Sequence, residues 1–531
     1  MVTKSTSAFY TASFVLAAGI IWQLIHILNL NAGMLVYTLD DAYIHLALAE
    51  NIAKFHYGIN LSEFSSPASS ILWPFLLAPW MKLPYHYLVP FIYNVACSFG
   101  ILYFEWKLLD YGFADNTSKF KTLFIGILLC FLLAVTNIVP LIFMGMEHSA
   151  QLLGVVAVLY AMVRELENKY SPALAIASIV FCSLIRYENI SIALLACLFF
   201  FLQGHRRDAV VAGGIVFAAV ATFSLFLVLH GLPALPVSAL VKTGNLQQAV
   251  HPLARVYLLA TTERGAFFAL LMLFFAGLVF HPKFTKGRRL LSAIVCVALF
   301  LYLEYGHVNI FWTGEADPSY FQRYESYIWT FAILSFIYLL KDYLITAFLF
   351  SKTMFIVLAC CAEILFCQKN NWDFRTTAEA SNNIYEQQYQ MHRFVVDYYQ
   401  APVAVNDIGY VGYSNNHYVL DLWGLSLKRA WRMRMYDGND YWIDTLTQSY
   451  NTKLIMIYDY DFPKHPSYWK KVAELSLTRT RITPGGEMVS FYATDDSAAY
   501  EIRRKLQEFQ QTLPNKEMLQ IFDQGLEHKT L

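Results

Sequence analysis

Two adjoining stretches decide the fold: FYTASFVLAAGIIWQLIHILNL at residues 9–30 and TLDDAYIHLALAE at residues 38–50. The first is long and apolar enough to cross about 30 Å of hydrocarbon as a helix. Because it lacks a small-residue cleavage site, we expect it to stay as a membrane anchor and not to be removed as a signal peptide. The second then places two adjacent carboxylates, Asp40 and Asp41, at the membrane surface.

Composition divides the 531-residue chain into two parts. Hydrophobic residues make up 57% and charged residues 15%, against about 45–50% and about 25% in soluble domains. Asp, Glu, Lys and Arg account for about 11% of residues 1–367 and about 23% of residues 368–531. We therefore expect a transmembrane domain over 1–367 and a soluble domain over 368–531.

Net charge and cysteine usage exclude two classes of protein. The formal net charge of zero gives no electrostatic basis for a nucleic-acid partner. All eight cysteines lie between Cys97 and Cys367. The soluble part therefore has no disulfide framework, and no Cys/His spacing resembles a zinc site.

Hydropathy predicts a polytopic α-helical protein with about eleven transmembrane helices. The candidate spans are 9–30, 86–106, 121–140, 148–163, 172–185, 189–203, 209–229, 265–281, 290–305, 325–340 and 353–367. Segment 68–83 contains Pro74 and Pro79 and is predicted to be re-entrant or interfacial. With these spans, fourteen Lys and Arg residues lie in loops on the same side of the membrane as the N-terminus, and seven lie in loops on the opposite side. This predicts a cytoplasmic N-terminus and, after an odd number of crossings, a periplasmic C-terminal domain on a bacterial inner membrane.

The soluble part has an α/β pattern. Short apolar runs such as VAVNDI and KLIMIYD predict strands, and helices are predicted at about 380–400, 440–450 and 497–512. Asp407 and Gly409 follow the first strand, a position where open α/β sheets commonly bind ligands. Acceptor binding and a scaffolding role both remain open for this domain.

The acidic pair at 40–41 allows two interpretations. Neighbouring helical positions point about 100° apart, so the two carboxylates cannot face one ligand in the same way. One can cap the helix while the other projects into a cavity. Alternatively, both only stabilise the N-terminal end of a helix.

The motifs, taken in order, resemble those of a known family. DDAYIHLALAENIAKFHYG and SSPASSILWPFLLAP are similar to the first outer loop of the glycosyltransferase-C superfamily, and closest to its arabinofuranosyltransferase-like branch. Five further segments along the chain also resemble the family's motifs. They are GMEHSAQ (145–151), LIRYENI (184–190), HGLPALPVSALVKTG (230–244), TGEADPSYFQRYESY (313–327) and VAVNDIGYVGYSNNHYVLDLWGL (403–425). In LIRYENI, Tyr187 replaces the family's usual Pro.

The resemblance implies an inverting transferase that uses a polyprenyl-phosphate-linked sugar at the outer face of the membrane. Its acceptor would be a cell-envelope glycan, a lipid or a pilin-like protein, and the branch favours an arabinofuranosyl donor. A sugar hydroxyl needs a carboxylate to take its proton. Asp40 matches the catalytic position best, with Asp41 a close rival.

We expect the remaining site residues to bind the phosphate or the sugar of the donor. Cations would stabilise the charge of the leaving phosphate, and Arg suits bidentate phosphate contact. Acidic residues would orient hydroxyls, pair with Arg186, or hold Mg or Mn together with the Asp pair, with Asp40, Asp41 and Glu147 as the candidate ligands. The expected donor-binding residues are Tyr43, His45, Glu147, Arg186, Glu188, Lys242 and Arg323.

Two other functions share these features. An oligosaccharide ligase or polymerase would use the same site on a longer lipid-linked chain. A transporter of the lipid-linked sugar would show inverted repeats and ionisable residues near mid-membrane. The charges cluster instead at helix ends and no repeat is visible, which favours an enzyme.

Overall fold

The computed structural model describes residues 6–112, 119–243, 263–305, 320–351, 368–436 and 441–522. Up to residue 351 the regular elements of the described chain are helices. The helices are α1 (Thr6–Leu30), α2 (Asp41–Ile52), α3 (Trp73–Leu77), α4 (Val89–Gly112), α5 (Lys119–Val135), α6 (Ile138–Phe143), α7 (His148–Leu166), α8 (Pro172–Ile185), α9 (Ile190–Leu202), α10 (Arg206–Leu229), α11 (Val237–Thr243), α12 (Glu263–Val279), α13 (Lys286–Tyr305), α14 (Ser326–Leu339) and α15 (Lys341–Phe350).

Fewer helices meet the length and composition needed to cross a membrane than the hydropathy pattern predicts. Four helices in the described part of the chain, α1, α4, α7 and α10, are long and apolar enough to cross a membrane. Helices α14 and α15 satisfy the same criterion together, as a pair bent by 70°. The number eleven is not confirmed, because helices such as α8 and α9 have only 14 and 13 residues. The predicted span 353–367 lies outside the described residues.

The segment predicted to be re-entrant is broken into short pieces. The five-residue helix α3 is followed at once by a 3₁₀ turn at Ala78–Trp80. Pro74 and Pro79 lie in the first positions of these two pieces, where their missing N–H groups cost no hydrogen bond.

The C-terminal region combines helices with one mixed sheet. The helices are α16 (Gln368–Glu386), α17 (Gln388–Arg393), a π-helix (Phe394–Tyr399), α18 (Gly409–Gly412), α19 (Lys428–Tyr436), α20 (Trp442–Ser449) and α21 (Asp496–Gln510). The strands are β1 (Val403–Val405), β2 (Val419–Asp421), β3 (Leu454–Ile457), β4 (Lys470–Ser476), β5 (Met488–Ala493) and β6 (Leu519–Ile521).

The sheet order is β2-β1-β3-β5-β4-β6. Strand β1 pairs in parallel with β2 and with β3, whereas the other pairs are antiparallel. The carboxyl ends of β2, β1 and β3 therefore lie along one edge, where open sheets of this kind bind ligands. Residues 406–410 leave this edge after β1.

Helix α16 packs two parts of the chain together, named by their composition the soluble region (residues 368–522) and the membrane region (residues 6–351). Ser381 lies in its buried face, where its hydroxyl accepts from the Asn31 side chain at 2.8 Å and donates to the carbonyl of Val36. Near the start of the helix, the Asn137 side chain donates to Asp373 at 2.7 Å. The two regions are therefore joined by buried hydrogen bonds, which need closely matched surfaces.

Candidate active site

The two adjacent carboxylates point to different parts of the molecule. Asp41 is the first residue of α2, and its Oδ2 accepts from Nη1 of Arg323 at 2.8 Å. The Asp40 carboxylate instead accepts from two backbone amides of the soluble region, Gly409 N–H at 2.7 Å and Tyr410 N–H at 2.8 Å. Asp41 thus belongs to a charged cluster in the membrane region, and Asp40 fastens the soluble region to it.

Gly409 makes this contact sterically possible. A Cβ atom at this position would lie 2.0 Å from the carbonyl oxygen of Asp40 and 2.5 Å from its Oδ2. Any other residue would push the two regions apart. Of the two roles that the sequence leaves open for this turn, the contact with Asp40 favours scaffolding at Gly409.

The charge of Asp407 acts on Asp40. Burial and the charge of Asp407 raise the pKa of Asp40, while the two amide donors oppose the shift. Burial also raises the pKa of Asp407 to about 6, against the hydrogen bonds from Gln388 and Tyr458, with Asp41 adding to the rise. The side chains of Gln388 and Tyr458 both donate to Oδ2 of Asp407 at 3.0 Å. A third carboxylate therefore reaches the Asp pair from the carboxyl edge of the sheet.

Tyr43 lies in the core, not on a ligand-facing surface. It is 1% exposed, its ring stacks on Tyr410 with centroids 3.8 Å apart, and its hydroxyl accepts from the backbone N–H of Tyr37. Helix α2 turns this face towards the soluble region, so the ring supports the same contact as Asp40. The donor contact expected of Tyr43 stays a prediction for a residue that is buried in this structure.

A second ion-pair group surrounds Arg186, between α8 and α9. This buried side chain, 1% exposed, donates from Nη1 to Glu147 at 2.6 Å and from Nη2 and Nε to Glu188 at 2.7 and 3.1 Å. Glu147 is also buried and lies just before α7. The Glu188 carboxylate is 24% exposed and forms the open side of the group.

Glu147 has two further partners. Ser69 donates to its Oε1 at 2.7 Å, and Nε2 of His45 lies 3.3 Å from its Oε2. Burial on its own would raise the pKa of Glu147, but His45 and Arg186 outweigh it and hold the pKa below its usual value. His45 is therefore a buried neighbour of Glu147.

Tyr324 joins the two ion-pair groups. The guanidinium carbons of Arg323 and Arg186 lie 4.6 and 5.8 Å from the centroid of its ring. Arg323 also donates to the thioether sulfur of Met146 at 3.2 Å, immediately before Glu147 in the chain. Asp41, Arg323, Tyr324, Arg186, Glu147 and Glu188 are named below the acid–arginine cluster.

Lys242 is placed only by its backbone, because its side chain lies outside what the structure describes. Its helix, α11, is held at its start by two contacts. Ser66 Oγ accepts from Val237 N–H at 3.1 Å, and Ser238 Oγ donates to the carbonyl of Ala68 at 2.8 Å. These contacts dock α11 beside Ser69, the residue that donates to Glu147.

The residues expected to hold Mg or Mn do not come together. Among the described residues, no group of three or more His, Cys, Asp and Glu side chains is arranged to hold a metal ion. Asp40 accepts from backbone amides, and Glu147 accepts from Arg186.

Three residues of this site were not predicted from the sequence. Ser69 and Met146 lie inside quoted motifs but carry no charge to mark them. Tyr410 binds Asp40 through its backbone amide, which any residue except proline supplies. Only the Ser-Pro segment before Ser69 gave a signal that this loop mattered.

Comparisons with known proteins gave a match to one family model and similarities to solved structures. A family model described as a domain of unknown function, DUF8728, matches residues 382–492, from within α16 to β5. No curated protein matches the chain. Among solved structures, the Archaeoglobus fulgidus oligosaccharyltransferase in complex with zinc and sulfate aligns with a TM-score of 0.46 at 11% identity, over 92% of this chain and 76% of that one. The same protein tethered to an acceptor peptide with an NVT sequon gives a TM-score of 0.40 at 11% identity, over 91% and 74%.

Proposed function

We propose that the chain is an integral membrane glycosyltransferase of the inverting type. It transfers a sugar from a polyprenyl-phosphate donor to a cell-envelope acceptor at the outer face of a bacterial inner membrane. The resemblance of the motifs favours an arabinofuranosyl donor. The observation that carries the proposal is the acid–arginine cluster, in which motifs from four distant parts of the chain meet.

The cluster contains two guanidinium groups that can bind a donor phosphate. Asp41 is 36% exposed and Glu188 24%, whereas the side chains of Arg323 and Arg186 are 7% and 1% exposed. The acids thus form the accessible side and the guanidinium groups lie behind them. A phosphate that enters can take guanidinium donors from the carboxylates, since Arg binds both anions through paired N–H groups.

Asp41 is the better candidate for the base. The acceptor oxygen attacks the anomeric carbon, its proton passes to the carboxylate, and the bond from that carbon to the phosphate oxygen breaks. The polyprenyl phosphate leaves with the electron pair, and cations near it lower the barrier. Asp40 is less suited to take the proton, because each of its oxygens already accepts a backbone N–H.

Arg323 contacts the proposed base, Asp41, and is also a candidate to bind the donor phosphate. It holds Asp41 in place before the donor arrives and lies against Tyr324, on the side of Arg186. A phosphate that engages Arg323 competes with Asp41 for the same guanidinium group.

The test is donor cleavage by the purified full chain in proteoliposomes. We expect acceptor-dependent release of polyprenyl phosphate from a polyprenyl-phosphoryl pentofuranose, and a fall in turnover of about 10²–10⁴ in Asp41→Asn. Asp110→Asn is the matched control, since it also removes a carboxylate from an ion pair, with Lys121, but near the C-terminal end of α4. Movement of intact donor across the bilayer without cleavage would contradict the proposal and indicate a transporter.

A further inference from the structure

Segment 51–64 separates two cavities that the acid–arginine cluster does not use. On one side is an apolar groove of about 790 Å³ between the end of α2 and the part of α10 from Ile215 to His230. That part of α10 extends about 22 Å at 1.5 Å per residue. The groove is walled by aromatic rings. They belong to Tyr57, Phe64, Phe75, Phe223 and Phe226.

The groove faces the hydrocarbon. Helix α10 is among the helices long and apolar enough to cross a membrane, and only 22% of its most apolar window is buried. Ala218 lines the groove and is exposed, so an alkyl chain can reach the rings from the lipid phase.

On the other side of the segment is a polar cleft of about 450 Å³. One wall is the end of α2 and the loop after it, and the other is the soluble-region loop 412–419. Amide, hydroxyl and charged side chains dominate the lining, which suits the hydroxyl groups of sugars. They include Glu50, Asn51, Lys54, Asn60, Asn415 and His417.

Lys54 and Phe55 form the rim between the two cavities. Phe55 is 100% exposed and lines the groove, while the next residue back, Lys54, is exposed and lines the cleft. The nearby acid Glu50 is occupied, because its carboxylate accepts from the backbone and the hydroxyl of Ser414. No ion pair to Lys54 is found within the described ranges. An anion at the membrane surface would therefore meet an uncompensated ammonium group.

We propose that the two cavities hold the acceptor, and that the acceptor is an anionic glycolipid. Its hydrocarbon chain lies in the groove, its phosphate meets Lys54, and its sugars occupy the cleft. The cleft adjoins the end of α2, where Glu50 is nine residues, about 14 Å along the helix, from Asp41. This assignment rests on the proposed function, because it names that reaction's acceptor.

Binding can be tested without any turnover. The full chain in phosphatidylcholine nanodiscs is titrated with three probes: a dodecyl phosphodiester of a disaccharide, dodecyl maltoside, and phosphatidylglycerol. We expect the first to bind at least about tenfold more tightly than the others, since a charged contact worth about 1.4 kcal/mol gives that factor. Equal binding of phosphatidylglycerol would overturn the proposal and indicate a bulk-lipid site.

Matched variants locate the probe. Lys54→Gln should weaken the phosphodiester about tenfold and leave dodecyl maltoside unchanged, whereas Lys82→Gln, on an exposed lysine outside the cleft, should change neither. Ala218→Trp should block the groove, whereas Ala221→Trp, on an exposed position of α10 outside the lining, should not. Unchanged binding in Lys54→Gln and Ala218→Trp would overturn the site. Binding that follows these expectations in a protein that cleaves no donor would refute the proposed function alone.

Discussion

Replacing Asp40 by asparagine separates the two roles that adjacent carboxylates can play. The carboxylate presents one oxygen to Gly409 N–H and the other to Tyr410 N–H, at 2.7 and 2.8 Å. Asparagine keeps one acceptor oxygen and turns an NH₂ group towards the second amide. A buried N–H without an acceptor costs about 1–3 kcal/mol, so the contact should open about 5- to 150-fold more often.

Hydrogen–deuterium exchange at Gly409 and Tyr410 measures this opening directly. Exchange at both amides should accelerate by that factor in Asp40→Asn, and turnover should stay within about tenfold of the parent because Asp41 is intact. Asp397→Asn, an exposed acid-to-amide change in the same region, should leave both unchanged. Unaltered exchange together with a loss of turnover of about 10² or more would refute the reasoning and make Asp40 the base.

Three further predictions concern Arg186, Asp407 and the topology. Arg186→Lys should lower turnover at least about tenfold in the proteoliposome assay, because Lys cannot reproduce contacts with two carboxylates that are each worth about 1.5–3 kcal/mol; parental turnover would contradict the role of this pair. The pKa of Asp407 is about 6 in the folded chain and about 3.9 when unfolded, so the folded state binds more protons between these values. Stability of the soluble region should therefore fall as pH rises from about 4 to about 6, and urea unfolding of Asp407→Asn should lack this slope. A reporter active only in the periplasm should work when fused at Gln368, and activity of a cytoplasmic reporter there would reverse the proposed orientation.

Hydropathy alone located most helices of the membrane region. The predicted span 172–185 coincides with α8, and 189–203 differs from α9 by one residue at each end. These stretches are apolar on all sides and bounded by charged or turn residues, so local sequence decides where they begin and end. Whether a helix of 13 or 14 residues crosses the bilayer depends on its neighbours, which local sequence does not contain.

The sequence did not predict which polar side chains are buried against a distant part of the chain. Ser381 and Asn382 look like surface residues of a soluble helix, yet both are buried against the end of α1, where Asn31 binds them. The division of roles between Asp40 and Asp41 has the same origin. Their side chains are chemically identical, and only the partners, Gly409 and Arg323, distinguish them.

The bond between Asp40 and Gly409 also orders events during biosynthesis. Its partners are 369 residues apart, and chains grow at about 5–20 residues per second, so the first loop waits about 20–70 s for its amide donors. During that interval the residues of the acid–arginine cluster, from Asp41 to Tyr324, are synthesised, but the turn that carries Asp407 does not yet exist. The first loop therefore lacks the two amide donors that hold Asp40 until the chain has grown past residue 410.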